Sequence, residues 1–147
     1  MKSFKIVETD ILGLVVIEPI VDISKDSWIT FNTELLPYVK HIDGTYCTYV
    51  QENESLSKRN VLRGIHMQLN NPQGKLVRVI KGRVYDVAVD ARCDSKTFGK
   101  WFGIELSDKN RKQLLIPEGF LHGFYVISDE AIFSYRCTRF YCPNDEY

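Results

Sequence analysis

A chain of 147 residues predicts one domain, 1–147, large enough to bury a core without a disulfide or metal staple. Hydrophobic residues make up 44% and charged residues 26%, with 19 Lys+Arg balanced by 19 Asp+Glu. That composition excludes a disordered chain, and a formal charge of zero removes the broad positive field of a non-specific nucleic-acid binder. The longest apolar run, Ile11 to Ile17, is far short of the roughly 20 residues of a membrane-spanning helix. Glu8 and Asp10 fall where a secretory leader would be apolar, so the expectation is a cytoplasmic protein. Cys47, Cys93, Cys137 and Cys142 make neither a C-x-x-C pair nor a zinc spacing and read as reduced, mostly structural thiols.

Along the chain, 11–21, 27–32, 46–52 and 60–68 read as extended, and a short helical piece near Thr33 to Lys40 is interrupted by Pro37. KLVRVI at 75–80 and RVYDVAVD at 83–90 flank Lys81-Gly82, which predicts a hairpin turn. WFGIEL at 101–106 follows the polar stretch CDSKTFGK, and QLLIP at 113–117 stops at Pro117-Glu118-Gly119. HGFYVIS at 122–128 ends before Asp129-Glu130, and AIFSYRCT at 131–138 follows. Breaks about every ten to thirteen residues are the rhythm of an antiparallel barrel or sandwich. So many strands in so short a chain predict an all-β fold, rolled into a barrel or a two-sheet jelly roll that hides its edges and can enclose one small ligand.

Inward-pointing ionisable residues then mark a site. Strand alternation puts Gly64, His66 and Gln68 on one face of Arg63-Gly64-Ile65-His66-Met67-Gln68. That face is polar and uncrowded, as a pocket wall would be; a hydrogen-bonded structural histidine fits the same pattern. Arg63 has the planar fork that suits phosphate, and Gly64 beside it permits a bulge that re-aims it. Lys75 is expected at the barrel mouth, where an ammonium can face a developing oxyanion. Tyr135 shares an inward face with Phe133 and Cys137, so its hydroxyl needs a partner from the protein or a substrate. His122 shares its face with Phe124 and Val126 and is expected to orient another group, and Asp86 can pair with a histidine. Surface or core roles remain open for each of these residues. The three histidines (His41, His66, His122) do not form a His-x-His pair, Gln68 standing at its second position, so a metal is not expected.

Taken together, these blocks resemble the dTDP-4-dehydrorhamnose 3,5-epimerase family of cupin-fold enzymes. The blocks are Gln51-Glu52-Asn53, Ser55-Leu56-Ser57, Val61 to Gln68, Gln73-Gly74-Lys75-Leu76-Val77-Arg78, Asp86 to Asp90, Thr97 to Trp101, Ile116 to Phe124 and Tyr135 to Tyr141. The resemblance implies a cupin-type jelly roll, a cytoplasmic homodimer and a nucleotide-diphosphate 4-keto-6-deoxysugar substrate used in deoxysugar and polysaccharide biosynthesis. It implies neither metal nor organic cofactor. It makes His66 the general base, Tyr135 the acid on the opposite sugar face, Lys75 the stabiliser of the enolate oxygen and Arg63 the diphosphate contact. Gln51, Asn53, Gln68 and His122 complete the expected substrate contacts. The family's Asp-x-Arg-Gly, aromatic and glutamate near the N-terminus are not matched between Asp22 and Asn32, which leaves Lys25 or Trp28 as the replacement contact. The C-terminal aspartate that partners the family's histidine has no counterpart either; Asp86, Asp145 and Glu146 are the candidates for its place. A 3,4-ketoisomerase and a non-catalytic nucleotide-sugar binder are the other readings.

Overall fold

The computed structural model describes residues 4–23, 28–29, 41, 43–46 and 48–147. Its strands are β1 (Phe4–Glu8), β2 (Val15–Pro19), β3 (Asp22–Ile23), β4 (Trp28–Ile29), β5 (Gln51–Lys58), β6 (Leu62–His66), β7 (Lys75–Lys81), β8 (Arg83–Asp90), β9 (Trp101–Ser107), β10 (Gln113–Ile116), β11 (Phe120–Val126) and β12 (Glu130–Cys137). Among the described residues the helical structure is one 3-10 turn, Pro143–Asp145. No described helix is long and apolar enough to cross a membrane.

Two antiparallel sheets face each other. One runs β1-β2-β10-β7-β12-β5 and the other β6-β11-β8-β9, with β3 and β4 forming a separate pair. Alternation sets what each strand turns inward. On β8, Val84, Asp86, Ala88 and Asp90 are buried, and on β11 Phe120, His122, Phe124 and Val126. These meet Val77, Val79, Leu114, Ala131 and Phe133 from the larger sheet in one core. A smaller cluster of Ile17, Leu76 and Leu115, joined by Phe4, Ile6 and Tyr49, covers part of the larger sheet's other face. Leu114 is fully buried in the main core, so Leu114→Ala is expected to cost about 3 kcal/mol, seen as a lower midpoint of denaturant unfolding.

Several expected elements shift. The segments on either side of Lys81-Gly82 are not a hairpin: β7 pairs with β10 and β12, whereas β8 pairs with β9 and β11. Lys81-Gly82 is instead a corner where the chain changes sheets. Gly82 has φ +83°, and a Cβ there would meet the Glu130 carbonyl oxygen, so glycine is required by both strain and space. Of 11–21, only Val15–Pro19 and Asp22–Ile23 beyond it are strand; Ile11 to Gly13 form a turn. The expected strand at 46–52 lies later, as β5, and β1 goes undetected because Lys5 and Glu8 interrupt its apolar residues. The expected helix at 33–40 lies outside the described residues. The polar stretch before β9 is organised from within. Buried Asp90 accepts from Arg92 Nε (2.9 Å), Ser95 Oγ (2.6 Å) and Thr97 Oγ1 (2.6 Å). Burial alone would raise its pKa, but these donors hold the carboxyl far below the usual range.

Candidate active site

An open cavity of about 450 Å³ lies between the two sheets, ample for a sugar and part of its carrier. Eight of the residues singled out for the site line it: His66, Tyr135, Lys75, Arg63, Gln51, Asn53, Gln68 and His122. They reach it from both walls. The smaller sheet supplies Arg63 and His66 from β6 and His122 from β11; the larger supplies Gln51 and Asn53 from β5, Lys75 from β7 and Tyr135 from β12.

The β6 wall depends on a close approach. Gly64 has φ +89°, and a Cβ on it would sit 2.5 Å from the His122 carbonyl oxygen. The β6–β11 register shifts at this point, with His66 opposite His122 but Arg63 opposite Phe124. That irregularity lets Arg63, Gly64 and His66 all border one cavity, as the glycine beside Arg63 suggested. Arg63 Nε donates to Ser57 Oγ at 3.1 Å, which braces the guanidinium on β5.

His66 is partly open, with about a third of its side chain exposed. Burial, then the Lys75 and His122 charges, push its pKa below the ordinary histidine value. Its imidazole is therefore neutral at pH 7 and able to accept a proton. His122 is different. It is buried, and its Nε2 lies 2.9 and 3.0 Å from the two oxygens of fully buried Asp86. The expected Asp86–histidine pair thus forms with His122 and not with His66. Cross-strand geometry explains the choice: Asp86 on β8 sits opposite Phe124 on the adjoining β11, within reach of His122 on the same inward face.

Lys75 lies deeper than expected. It is 7% exposed at the start of β7, opposite Cys137 on β12 and Ile116 on β10. Desolvation lowers its pKa, and the nearby Glu146 and Asp86 carboxylates oppose that shift. Tyr135 pairs with Asn53 on β5 and Val77 on β7. Its ring tilts against Phe133 at 5.9 Å, and Phe133 stacks on Phe124 at 4.1 Å, so an aromatic column fixes the phenol's place. Burial raises the phenol pKa, which keeps the proton on at neutral pH. Buried Cys137 is pushed up to about 11 by desolvation and stays a thiol.

The amide side chains are engaged by the protein as well as bordering the cavity. Gln51 Nε2 donates to Asn53 Oδ1 (2.9 Å), and Gln51 Oε1 accepts from the Tyr141 amide (2.7 Å). Gln68 Nε2 donates to the Asn71 carbonyl (2.7 Å), and Gln68 Oε1 accepts from the Cys142 amide (2.7 Å). Gln68 therefore staples the C-terminal segment beside β6. Residues not assigned to the site in advance also line it, among them Ser55, Phe133 and Tyr141. Ser55 was readable as the next step of the alternation through Gln51 and Asn53; Tyr141 belongs to no strand and carried no periodic signal. Lys25 lies outside the described residues, as do the side-chain surroundings of Trp28. Among the described residues no cluster of three or more His, Cys, Asp or Glu is arranged to hold a metal ion.

The family model for dTDP-4-dehydrorhamnose 3,5-epimerase matches residues 8–147. A dTDP-4-dehydrorhamnose 3,5-epimerase of Methanothermobacter thermautotrophicus is 47% identical over 145 residues, covering 97% of this chain and 76% of that protein. The enzyme of the same name from Salmonella typhimurium is 44% identical over 142 residues, covering 96% of this chain and 77% of its own length. The crystal structure of dTDP-6-deoxy-D-glucose-3,5-epimerase from Legionella pneumophila, in complex with dTDP-4-keto-L-rhamnose, superposes with a TM-score of 0.89 at 42% identity. That match covers 98% of this chain and 76% of the other.

Proposed function

Because the chain belongs to the dTDP-4-dehydrorhamnose 3,5-epimerase family, we propose that it inverts C3, C5 or both in a nucleotide-linked 4-keto-6-deoxyhexose. The C4 ketone acidifies the hydrogens on C3 and C5. Neutral His66 takes one of them, the C–H electron pair moves into the enolate, and the Lys75 ammonium offsets the charge on O4. Tyr135 then delivers a proton from the other face, and the carbon inverts. Arg63 meets the diphosphate with its fork, while Gln51, Asn53, Gln68 and His122 border the bound sugar. The ligand named in the Legionella structure supports dTDP as the carrier. A cytoplasmic homodimer serving polysaccharide precursor synthesis completes the reading, and light scattering on the purified protein tests the dimer.

The observation that carries the reading is the opposition of base and acid across one cavity. His66 stands on the smaller sheet and Tyr135 on the larger, with buried Lys75 beside them. Incubating the protein with dTDP-4-keto-6-deoxyglucose in D2O and following the sugar by NMR tests it. Deuterium at C3 or C5 with inverted configuration is the expected result. A ketone relocated to C3, or binding with no exchange, overturns it.

The pH profile has a definite sign. Activity needs His66 neutral, Lys75 charged and Tyr135 protonated. The acid limb of kcat/KM falls below the ordinary histidine value of about 6.5, since burial lowers His66. On the alkaline side burial lowers Lys75, so its ammonium is lost below the ordinary lysine value, while burial raises Tyr135 and helps it keep its proton. An alkaline limb below about 10.4, the ordinary lysine value, is therefore expected in a rate–pH series.

A further inference from the structure

We propose that Thr138 is a positioning residue for Lys75: oriented by Glu118, its hydroxyl fixes the backbone from which the ammonium reaches the cavity. The role rests on the reading of Lys75 as the group that offsets charge on O4. Gly74 immediately precedes β7, and Thr138 immediately follows β12. The β7–β12 ladder ends with Lys75 opposite Cys137. One residue further, Thr138 holds Gly74 by both of its backbone groups. The Thr138 amide donates to the Gly74 carbonyl at 3.0 Å, and Thr138 Oγ1 accepts the Gly74 amide at 2.9 Å. The first bond extends the ladder, and any residue but proline supplies it. The second needs a side-chain oxygen.

Glu118 sets the direction of that oxygen. A hydroxyl has one hydrogen to give, and Thr138 Oγ1 donates it to Glu118 Oε1 at 3.2 Å. A lone pair is thereby left facing the Gly74 N–H. The same Glu118 oxygen accepts from Arg139 Nε at 3.3 Å and lies 2.8 Å from His41 Nδ1. Thr138 and Glu118 are both buried, so water does not compete for the Gly74 amide. Glycine is what allows the close approach. A Cβ on Gly74 would lie 3.2 Å from Thr138 Cγ2 and 3.3 Å from Oγ1.

Lys75 depends on this foothold. A lysine stem is flexible and its ammonium is a point charge. Among the described residues that ammonium is in no ion pair; Asp86, whose charge it feels, is paired with His122. The place where the chain enters β7 therefore governs where the ammonium sits. An oxyanion stabiliser acts at about 3 Å, and a misplacement of about 1 Å can lower the rate 10²-fold. Thr138 is not among the residues that line the cavity, so it acts through Lys75 and not on the substrate.

A double-mutant cycle tests the role. Thr138→Val removes the hydroxyl and keeps the side chain's shape. Hydrogen exchange into the 4-ketosugar, followed by NMR in D2O, is expected to slow roughly tenfold in T138V. The Kd for dTDP stays within about threefold of wild type, because the Arg63 fork is untouched. In a K75M background, assayed at high enzyme concentration, adding T138V slows exchange by less than about twofold, since coupled residues are not additive. T138S, which keeps the hydroxyl, stays within about threefold of wild type, and T138A follows T138V. That pair carries the comparison if the valine variant does not fold. A loss as large in K75M as in wild type, or no loss in folded T138V, overturns the proposal. A wild-type protein that exchanges no sugar hydrogen overturns the epimerase reading instead. The ligand-free protein then still judges Thr138. In T138V the Gly74 amide exchanges about tenfold faster and the Lys75 side-chain resonances move; unchanged Lys75 resonances overturn the positioning role.

Discussion

Replacing His66 with alanine is expected to abolish hydrogen exchange at both C3 and C5 and, with it, any inversion. A positioned general base contributes roughly 10²- to 10⁴-fold, and among the described residues no neighbouring imidazole is free to take over. His122 is the neighbouring imidazole, but it is buried and its Nε2 is held between both oxygens of Asp86. The Glu146 carboxylate is tied to Tyr141. The fold tolerates the change because His66 is partly exposed and among the described residues no hydrogen bond holds its ring, so the thermal midpoint should move little. The measurement is deuterium incorporation into the 4-ketosugar by NMR, at enzyme concentrations high enough to detect a thousandfold loss. Exchange at the wild-type rate would remove His66 from the base role and with it the whole proton-transfer scheme.

Tyr135→Phe separates the two halves of the reaction. The substitution deletes one hydroxyl and keeps the ring, whose contact with Phe133 holds that part of the wall. Ligand affinity, measured by calorimetry with the nucleotide diphosphate, is therefore expected to change by less than about threefold, since the anion contacts lie elsewhere. Turnover should fall about 10²- to 10³-fold. The informative signature is stereochemical. With His66 intact, the enolate still forms and deuterium still enters, but it returns from the His66 side, so the sugar gains label with retained configuration. Inversion at an undiminished rate would show that another group delivers the proton.

How much of this was legible in advance varies with how local the cause is. The inward faces of β8 and β12 were readable because strand period is a property of the backbone itself. Alternation put Asp86 among Val84 and Ala88, and Tyr135 between Phe133 and Cys137, and the fold keeps both assignments. Gly64 was readable as a place where β6 could re-aim its side chains, and the register shift is there. Depth was not. Lys75 opens a strand and so looked like a rim residue, yet β12 and β10 flank it and bury it. The turn at Lys81-Gly82 has the composition of a hairpin, but turn residues specify a reversal of direction without specifying which neighbour the next strand will join.

By itself the sequence determined the all-β class, the sides of β8 and β12 that face the interior, and which ionisable side chains the chain offers for a site. Those follow from composition, a two-residue repeat and intrinsic acidity, all of which act within a few residues. Tertiary structure alone decided which wall each group stands on, which carboxylate belongs to which histidine, and how a segment beginning at Tyr141 comes to lie beside residue 66. Such contacts join residues 36 apart for Asp86 and His122 and farther still for His66 and Glu146. They form because sheet pairing brings distant strands into register, where burial and charge then select partners that no local pattern records.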